Sequence, residues 1–353
     1  MEQLDNITQP ARAERTEIAS LGEFGLIEHL TAGNTLKQET TKLGPGDDAA
    51  VLHYGEEKDL LLSTDLLLEG IHFDLSYVPL KHLGYKAAVV NFSDICAMNG
   101  IPAQLTVSVG ISKRFSVEDM DELYAGIKLA CKVYGVDLIG GDTSASLTGL
   151  TLCLTCTGNV EKDQAVLRSG AKVNDLICVS GNLGSAYMGL QLLEREKLVF
   201  QGQKDFQPDF AGKEYLLQRQ LRPEARKDIV EKLAQKNIRP TSMIDISDGL
   251  SSDLLHICKQ SKCGCRIYED KLPIDYQTAS LAEEMNMNLS TAALDGGEDY
   301  ELLFTVPLEL HDAIENWTDV RIVGYICAEQ DGRKLITRDN TEIDIIAQGW
   351  KMA

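Results

Sequence analysis

The sequence predicts an α/β protein of two domains with mixed sheets, and three observations carry that expectation. Short apolar runs of strand length alternate with longer segments of helical period, in the first half and again in the second. A polar stretch, EKDQAVLRSGAKVND, separates the two series and sets the division at 1–165 and 166–353. The chain has 353 residues, more than one hydrophobic core usually organises.

Taken in order, AAVLHY and DLLLSTD read as two strands joined by GEEK. A turn centred near Glu56 and Glu57 sets Asp48 opposite Asp65. A helix follows over roughly 80–99, stopped by Gly100 and Pro102. A strand in QLTVSVGI leads to a helix opened by a capping box from Ser116 to Asp119 and closed near Gly135. Strands in VDLIGG and GLTLCLTCTGNV complete the first series. Beyond the boundary come a strand at LICVS, a glycine turn at GNLG and a helix from about Ser185 into QLLEREKL. A polar segment, VFQGQKDFQPDFAG, interrupts before MIDISDGLSSDLLHICKQ and LDGGEDYELLFTVP resume the pattern.

Composition excludes several classes. Lys and Arg total 34 against 54 Asp and Glu, a formal charge of −20, and no basic block suited to a phosphate backbone occurs, so nucleic acid is not an expected partner. No cationic start with an apolar core opens the chain, and no apolar run approaches the ~20 residues of a membrane span, so a cytoplasmic protein without a membrane partner is expected. The nine cysteines, an odd number, sit in apolar settings such as LTLCLTC and DLICVS and suit reduced thiols in a core. Cys153 with Cys156 and Cys263 with Cys265 lack the histidines or second pair of a zinc site.

The informative residues are acids flanked by glycine or hydroxyls. Asp47 and Asp48 lie in GPGDDAAVL, and Ser63, Thr64 and Asp65 end DLLLSTD, so the hairpin brings five oxygen-bearing side chains to one end of one ribbon. Asp94 shares a helical stripe with Ala87, Val90 and Met98, which leaves a carboxylate facing apolar company and in need of a partner. Asp142 follows two glycines in LIGGDTSAS. The second half adds Asp245, Ser247 and Asp248 in IDISDGL, then Asp295, Glu298 and Asp299 in LDGGEDYEL. Taken singly, each has an ordinary explanation: a helix N-cap at ISDGLSSDLL, a solvated turn at GDD, a pairing of Asp94 with Lys86 or Lys128. Together, converging carboxylates repel by about 4 kcal/mol per pair in a partly buried site unless cations intervene. Hard oxygen donors suit Mg²⁺, a common means of holding nucleotide phosphates.

No G-x-x-x-x-G-K-[ST] loop and no protein-kinase motif set occurs. Among six histidines, without H-E-x-x-H spacing, His72 in EGIHFDL follows soon after the STD cluster, and Arg168 and Lys172 are the cations placed to meet a polyphosphate.

The motifs GEFGLI, GPGDDAAVL, STDLLLEGIHF, LGYKAAVVNFSDICAMNGIP, IGGDTS, LRSGAKVND, MIDISDGLSSDL and GGEDYELLFT, in that order, resemble the thiamine-monophosphate kinase family from about Gly22 to Trp350. The resemblance implies the aminoimidazole-ribonucleotide-synthetase-like fold, two α/β domains with N-terminal strands forming a homodimer interface. It implies direct transfer of the ATP γ-phosphoryl group to thiamine monophosphate, with several Mg²⁺ ions and no covalent enzyme intermediate. Asp47 or Asp48, Ser63, Thr64, Asp65, Asp94, Asp142, Asp245 and Asp248 would carry the metal. Tyr124, Gly141, Asp142, Arg168 and Ser247 would contact ATP, and His72, Glu298, Asp299 and Trp350 the acceptor. Two other readings remain at this point. One is a neighbouring ATP-using enzyme, a ribonucleotide cyclo-ligase or a selenophosphate synthetase, although the latter wants a reactive cysteine near the N-terminus and the first here is Cys96. The other is a non-catalytic divalent-cation-binding protein.

Overall fold

The computed structural model describes residues 38–53, 55–202 and 210–347, together with Gly25 and Glu28. The first sheet contains β1 (Thr41–Leu43), β2 (Ala50–Leu52), β3 (Lys58–Leu68), β4 (Ile101–Ile111), β5 (Asp137–Ala145) and β6 (Thr151–Glu161), in the order β1-β2-β3-β6-β4-β5. All its pairings are antiparallel except β4 with β5.

Two helices, α1 (Leu80–Ala97) and α2 (Val117–Tyr134), cover one face of this sheet. The expected start and stop of α2 are both present. Ser116 accepts from the backbone N–H of Asp119, the Asp119 carboxylate accepts from that of Ser116, and Gly135 closes the helix at φ 71°. The helices touch backbone to backbone: a Cβ on Gly84 would lie 2.0 Å from the Leu123 carbonyl oxygen, and one on Gly126 1.9 Å from that of Lys81. That proximity buries α1 almost throughout, from Leu83 to Ser93.

Strand alternation divides the sheet's side chains. Leu61, Leu105, Val107, Leu152, Leu154 and Cys156 are buried under the helices. Thr64, Leu66 and Ser108 are exposed on the opposite face, and edge strand β5 is exposed along nearly its whole length.

The hairpin register differs from expectation by one residue. Ala50 pairs with Leu62 and Leu52 with Leu60, so the turn centres on residue 56 and encloses an odd number of residues. Asp48 therefore approaches the level of Thr64 rather than standing opposite Asp65, although the acids still gather at that end.

The second sheet contains β7 (Leu176–Ser180), β8 (Ser242–Asp245), β9 (Gly264–Tyr268), β10 (Leu302–Val306), β11 (Val320–Cys327), β12 (Arg333–Ile336) and β13 (Glu342–Asp344), in the order β13-β12-β9-β11-β7-β10-β8. Only β12 with β9 is parallel. Around it lie α3 (Ser185–Gly202), α4 (Glu214–Leu221), α5 (Lys227–Gln235), α6 (Leu250–Ser261), α7 (Tyr276–Glu284), α8 (Leu289–Asp295) and α9 (His311–Glu315). One face packs Ile177, Val179, Ile244 and Leu303 against Leu250, Leu254 and Ile257 of α6. The other sends Cys178, Met243 and Phe304 into the same cluster as the residues beneath α1, with Ile229 and Leu233 of α5. Helix α1 thus sits between the two sheets and reaches residues of both. All nine cysteines are free, as their apolar settings led us to expect. No helix of the described residues is long and apolar enough to cross a membrane.

Candidate active site

Four elements bring the acids together. The GDD turn delivers Asp48, the middle of β3 delivers Ser63 and Asp65, and buried α1 delivers Asp94. From the second sheet, Asp245 arrives at the C-terminal end of β8. Carboxylate oxygens of Asp48, Asp94 and Asp245 all lie within 4.8 Å of one another. Asp94 accepts a hydrogen bond from the Ser63 hydroxyl, and Asp245 accepts one from Ser93 at 2.6 Å. Ser63 and Asp65 share a strand face because they are two residues apart.

The electrostatics match the crowding. Burial, then the charge of Asp48, lifts Asp245 from 3.8 to about 7 and Asp65 to about 6. Burial, then Asp65, Asp245 and Asp48, drives Asp94 well above the usual carboxylate range. No lysine or arginine lies at ion-pair distance from Asp65, Asp94 or Asp245 among the described residues; Arg168 pairs instead with Asp48, Nη2 to Oδ1 at 2.6 Å and Nε to Oδ2 at 3.2 Å. Oxygen donors that are buried, mutually repelling and short of cations fit a divalent hard cation.

Asp47 meets backbone donors. Its oxygens accept from the backbone N–H groups of Asp48 at 3.1 Å and Arg168 at 3.0 Å, so it braces the turn that presents Asp48. Asp299 is fully buried and accepts from Gly184 N–H at 2.8 Å, at the start of α3, with Arg219 4.0 Å away. Its neighbour Glu298 remains a third exposed and pairs with Lys86 at 3.0 Å. His72 accepts from the Leu68 N–H through Nδ1 at 2.9 Å, and burial lowers its pKa, so its ring is neutral with the proton on Nε2.

Other expected residues lie apart from the three carboxylates or at their edge. Alternation sends Thr64 to the opposite face, where its hydroxyl donates to the Leu154 carbonyl at 2.9 Å. Gly141 and Asp142 lie on β5; the register runs Asp65, Leu154, Val107, Gly141 across the sheet. Three strand spacings make that distance about 14 Å. Asp142 is exposed on the open face with Thr64 and Leu66. A Cβ on Gly141 would stand 1.8 Å from the Val107 carbonyl oxygen, which explains the glycine. Tyr124 lies part-buried on α2. Ser247 and Asp248 follow Asp245 in the loop before α6, and Asp248 N–H donates to the buried Asp253 carboxylate at 3.3 Å. Trp350 lies outside the described residues.

Sequence reasoning missed Ser93, Asp253 and Gln220, all buried polar groups beside the acids, and offered Lys86 or Lys128 to Asp94, whereas Lys86 pairs with Glu298. The one signal was a lysine and a serine inside the apolar run YKAAVVNFSD. A separate cavity of about 600 Å³, lined by Tyr268, Lys271, Tyr325 and Arg338 among others, shares no residue with the cluster.

With that geometry in view, the relatives can be compared. Residues 46–160 match the family described as AIR synthase related protein, N-terminal domain, and 172–335 match the C-terminal domain of the same description. The chain is 36% identical over 304 residues to the thiamine-monophosphate kinase of Aquifex aeolicus, covering 86% of this chain and 92% of the relative. It is 32% identical over 335 residues to that of Bacillus subtilis strain 168, covering 94% and 99%. The chain belongs to the thiamine-monophosphate kinase family. Among solved structures, one described as "AaThiL complexed with AMPPCP and TMP" superposes with a TM-score of 0.78 at 32% identity, covering 97% of this chain and 100% of that one. The kinase from Stenotrophomonas maltophilia K279a gives 0.70 at 30% identity, covering 86% and 92%. The mixed-sheet, two-domain fold of this kinase family is therefore the fold of the chain.

Proposed function

We propose that the carboxylate cluster performs the family's reaction here, transfer of the ATP γ-phosphoryl group to the phosphate of thiamine monophosphate, giving thiamine diphosphate and ADP. The observation that carries the reading is the convergence of Asp48, Asp94 and Asp245 within 4.8 Å, with Asp48 paired to Arg168 and, among the described residues, no lysine or arginine at ion-pair distance from Asp94 or Asp245. Asp48, Asp65, Asp94 and Asp245 would hold Mg²⁺, with Ser63 beside them and Asp248 at the rim. Bound Mg²⁺ supplies charge neutralisation for the phosphates of donor and acceptor, which is most of what phosphoryl transfer asks of a protein.

The protein's own groups do the rest. Buried α1 fixes Asp94, and Ser63 and Ser93 orient the carboxylates by donating to one oxygen of each acid. Arg168 is fixed beside the cluster by its two bonds to Asp48, where its guanidinium meets a polyphosphate without a change of backbone. Neutral His72 offers an Nε2–H donor, and Glu298 an acceptor, to the organic part of thiamine monophosphate. The halves 1–165 and 166–353 divide the work, the first supplying most metal ligands and the second completing the nucleotide and acceptor sites.

Thr64, Gly141 and Asp142 join this reading through a homodimer. They occupy the open face and exposed edge of the first sheet, about 14 Å across from the Asp65 level. A second copy packed on that face brings its β5 against this copy's β3, so each site would take Asp142 from the partner. An exposed sheet face bearing Leu66 at 53% exposure and an edge strand unpaired on its outer side among the described residues support such pairing.

The test is a coupled ADP-release assay with ATP and Mg²⁺, offering thiamine monophosphate or thiamine and identifying the product by mass. Thiamine diphosphate formed from the monophosphate alone is the expected result. No ADP release with either acceptor would return the chain to the purine and selenium chemistries of its wider fold relatives.

A further inference from the structure

Glu298 is held differently from the buried acids of the cluster. Its Oε2 accepts from Lys86 Nζ at 3.0 Å and from Gln220 Nε2 at 2.8 Å, and Lys86 also donates to the Gln220 carbonyl at 3.0 Å. Lys86 belongs to α1 and is 7% exposed; Gln220 belongs to α4 and is 5% exposed. A buried lysine is retained where it has a charge to neutralise, and among the described residues this one has a single carboxylate within reach. Among the described residues, Glu298 Oε1 takes no hydrogen bond.

The backbone is shaped to the same end. Gly297, Glu298 and Tyr300 have φ of 71°, 58° and 52°, so two non-glycine residues adopt left-handed conformations within one turn. Two bonds hold them there: Glu298 N–H to the Ser247 carbonyl at 2.7 Å and Tyr300 N–H to that of Ile246 at 2.9 Å. The loop that follows Asp245 thereby fixes where Glu298 stands, and Lys86 and Gln220 fix which way it faces. His72 is close enough that the charges of Glu298 and Lys86 both act on its ring.

We propose that Lys86 and Gln220 are positioning residues for acceptor recognition. They occupy Oε2, keep this carboxylate out of the metal-binding set, and turn Oε1 toward an N–H donor of the acceptor, the amino group of its pyrimidine ring. The inference rests on the reading that Glu298 meets the acceptor. It divides the acids of the site into two kinds: those lacking a lysine, which serve cations, and one with its own lysine, which serves an organic ring.

The experiment is steady-state kinetics of Lys86→Met, Gln220→Leu and Glu298→Gln. The acceptors are thiamine monophosphate and its analogue with oxygen in place of the pyrimidine amino group. Lys86→Met is expected to raise KM for thiamine monophosphate about tenfold while leaving KM for ATP within about twofold, and to erase much of the preference for the amino over the oxo acceptor. Gln220→Leu should move both quantities the same way by less, and it carries the test if Lys86→Met does not fold. Unchanged acceptor KM and preference in Lys86→Met and Gln220→Leu, with both lost in Glu298→Gln, would overturn the positioning role and leave the Glu298 reading standing. Unchanged values in Glu298→Gln would overturn that reading itself. A parallel loss in kcat and both KM values, with a lowered melting temperature, would mark Lys86 as merely structural.

Discussion

Asp245→Asn exchanges a carboxylate for an amide of equal size, keeping an oxygen to accept from Ser93. In metal-free protein the acid is raised from 3.8 to about 7, first by burial and then by Asp48. At pH 8 that displacement corresponds to about 4 kcal/mol of unfavourable ionisation carried by the folded state. Coulomb repulsion alone is of that order: two unit charges separated by the 4.8 Å that bounds this cluster repel by about 3.5 kcal/mol at an effective dielectric of 20. The amide removes this burden and gives back about 1–2 kcal/mol through an unsatisfied buried N–H₂ group. The variant should therefore be about 2–3 kcal/mol more stable than wild type in EDTA at pH 8, by denaturant titration. Added Mg²⁺ should reverse the order by stabilising wild type alone, and turnover by the variant should fall at least a hundredfold. A variant that is less stable in EDTA, yet equally stabilised by Mg²⁺, would refute the argument that this acid awaits a cation.

Stability of the metal-free protein should also depend on pH with a specific sign. Asp65 and Asp245 are raised to about 6 and about 7 in the fold, so the folded state binds more protons than the unfolded one between roughly pH 4 and 7, and stability falls as pH rises through that window. Melting temperatures in EDTA should be higher at pH 5 than at pH 8, with saturating Mg²⁺ narrowing the difference; a rise with pH in EDTA would contradict it. Mixing Asp94→Asn with Asp142→Asn protomers should restore about a quarter of wild-type activity if each site draws on both copies, because half the dimers are mixed and each has one intact site. No recovery after confirmed subunit exchange would place both residues in one chain's site. Gly126→Ala, whose Cβ would stand 1.9 Å from the Lys81 carbonyl oxygen, should destabilise by about 3 kcal/mol or more in urea by prying α2 from α1. An unchanged midpoint would show that the helices have room to part.

Local chemistry was the legible part of this fold. Ser116, Asp119 and Gly135 marked both ends of α2 because caps act within a few residues. The hairpin register shifted by one because loop parity depends on the backbone of residues 53–59, which GEEK does not dictate. The small strands β12 and β13 and the short helices α7 to α9 escaped notice, since three to nine residues give too little periodicity. In the site, the acids were readable because a charge beside apolar residues demands an explanation. Their partners were not: Ser93 reaches Asp245, and Lys86 reaches Glu298 rather than the Asp94 on its own helix, each more than 150 positions later in the chain. Thr64 shows the limit most plainly, since its place on β3 sets its face and its neighbours in sequence say nothing of which face carries Asp94.

The most direct test is diffraction from crystals grown with Mn²⁺ and a non-hydrolysable ATP analogue, read by anomalous difference density. The account predicts a peak coordinated by Asp48, Asp94 and Asp245, with the analogue's phosphates beside it. Manganese bound elsewhere, with those three carboxylates left without an ion, would contradict it.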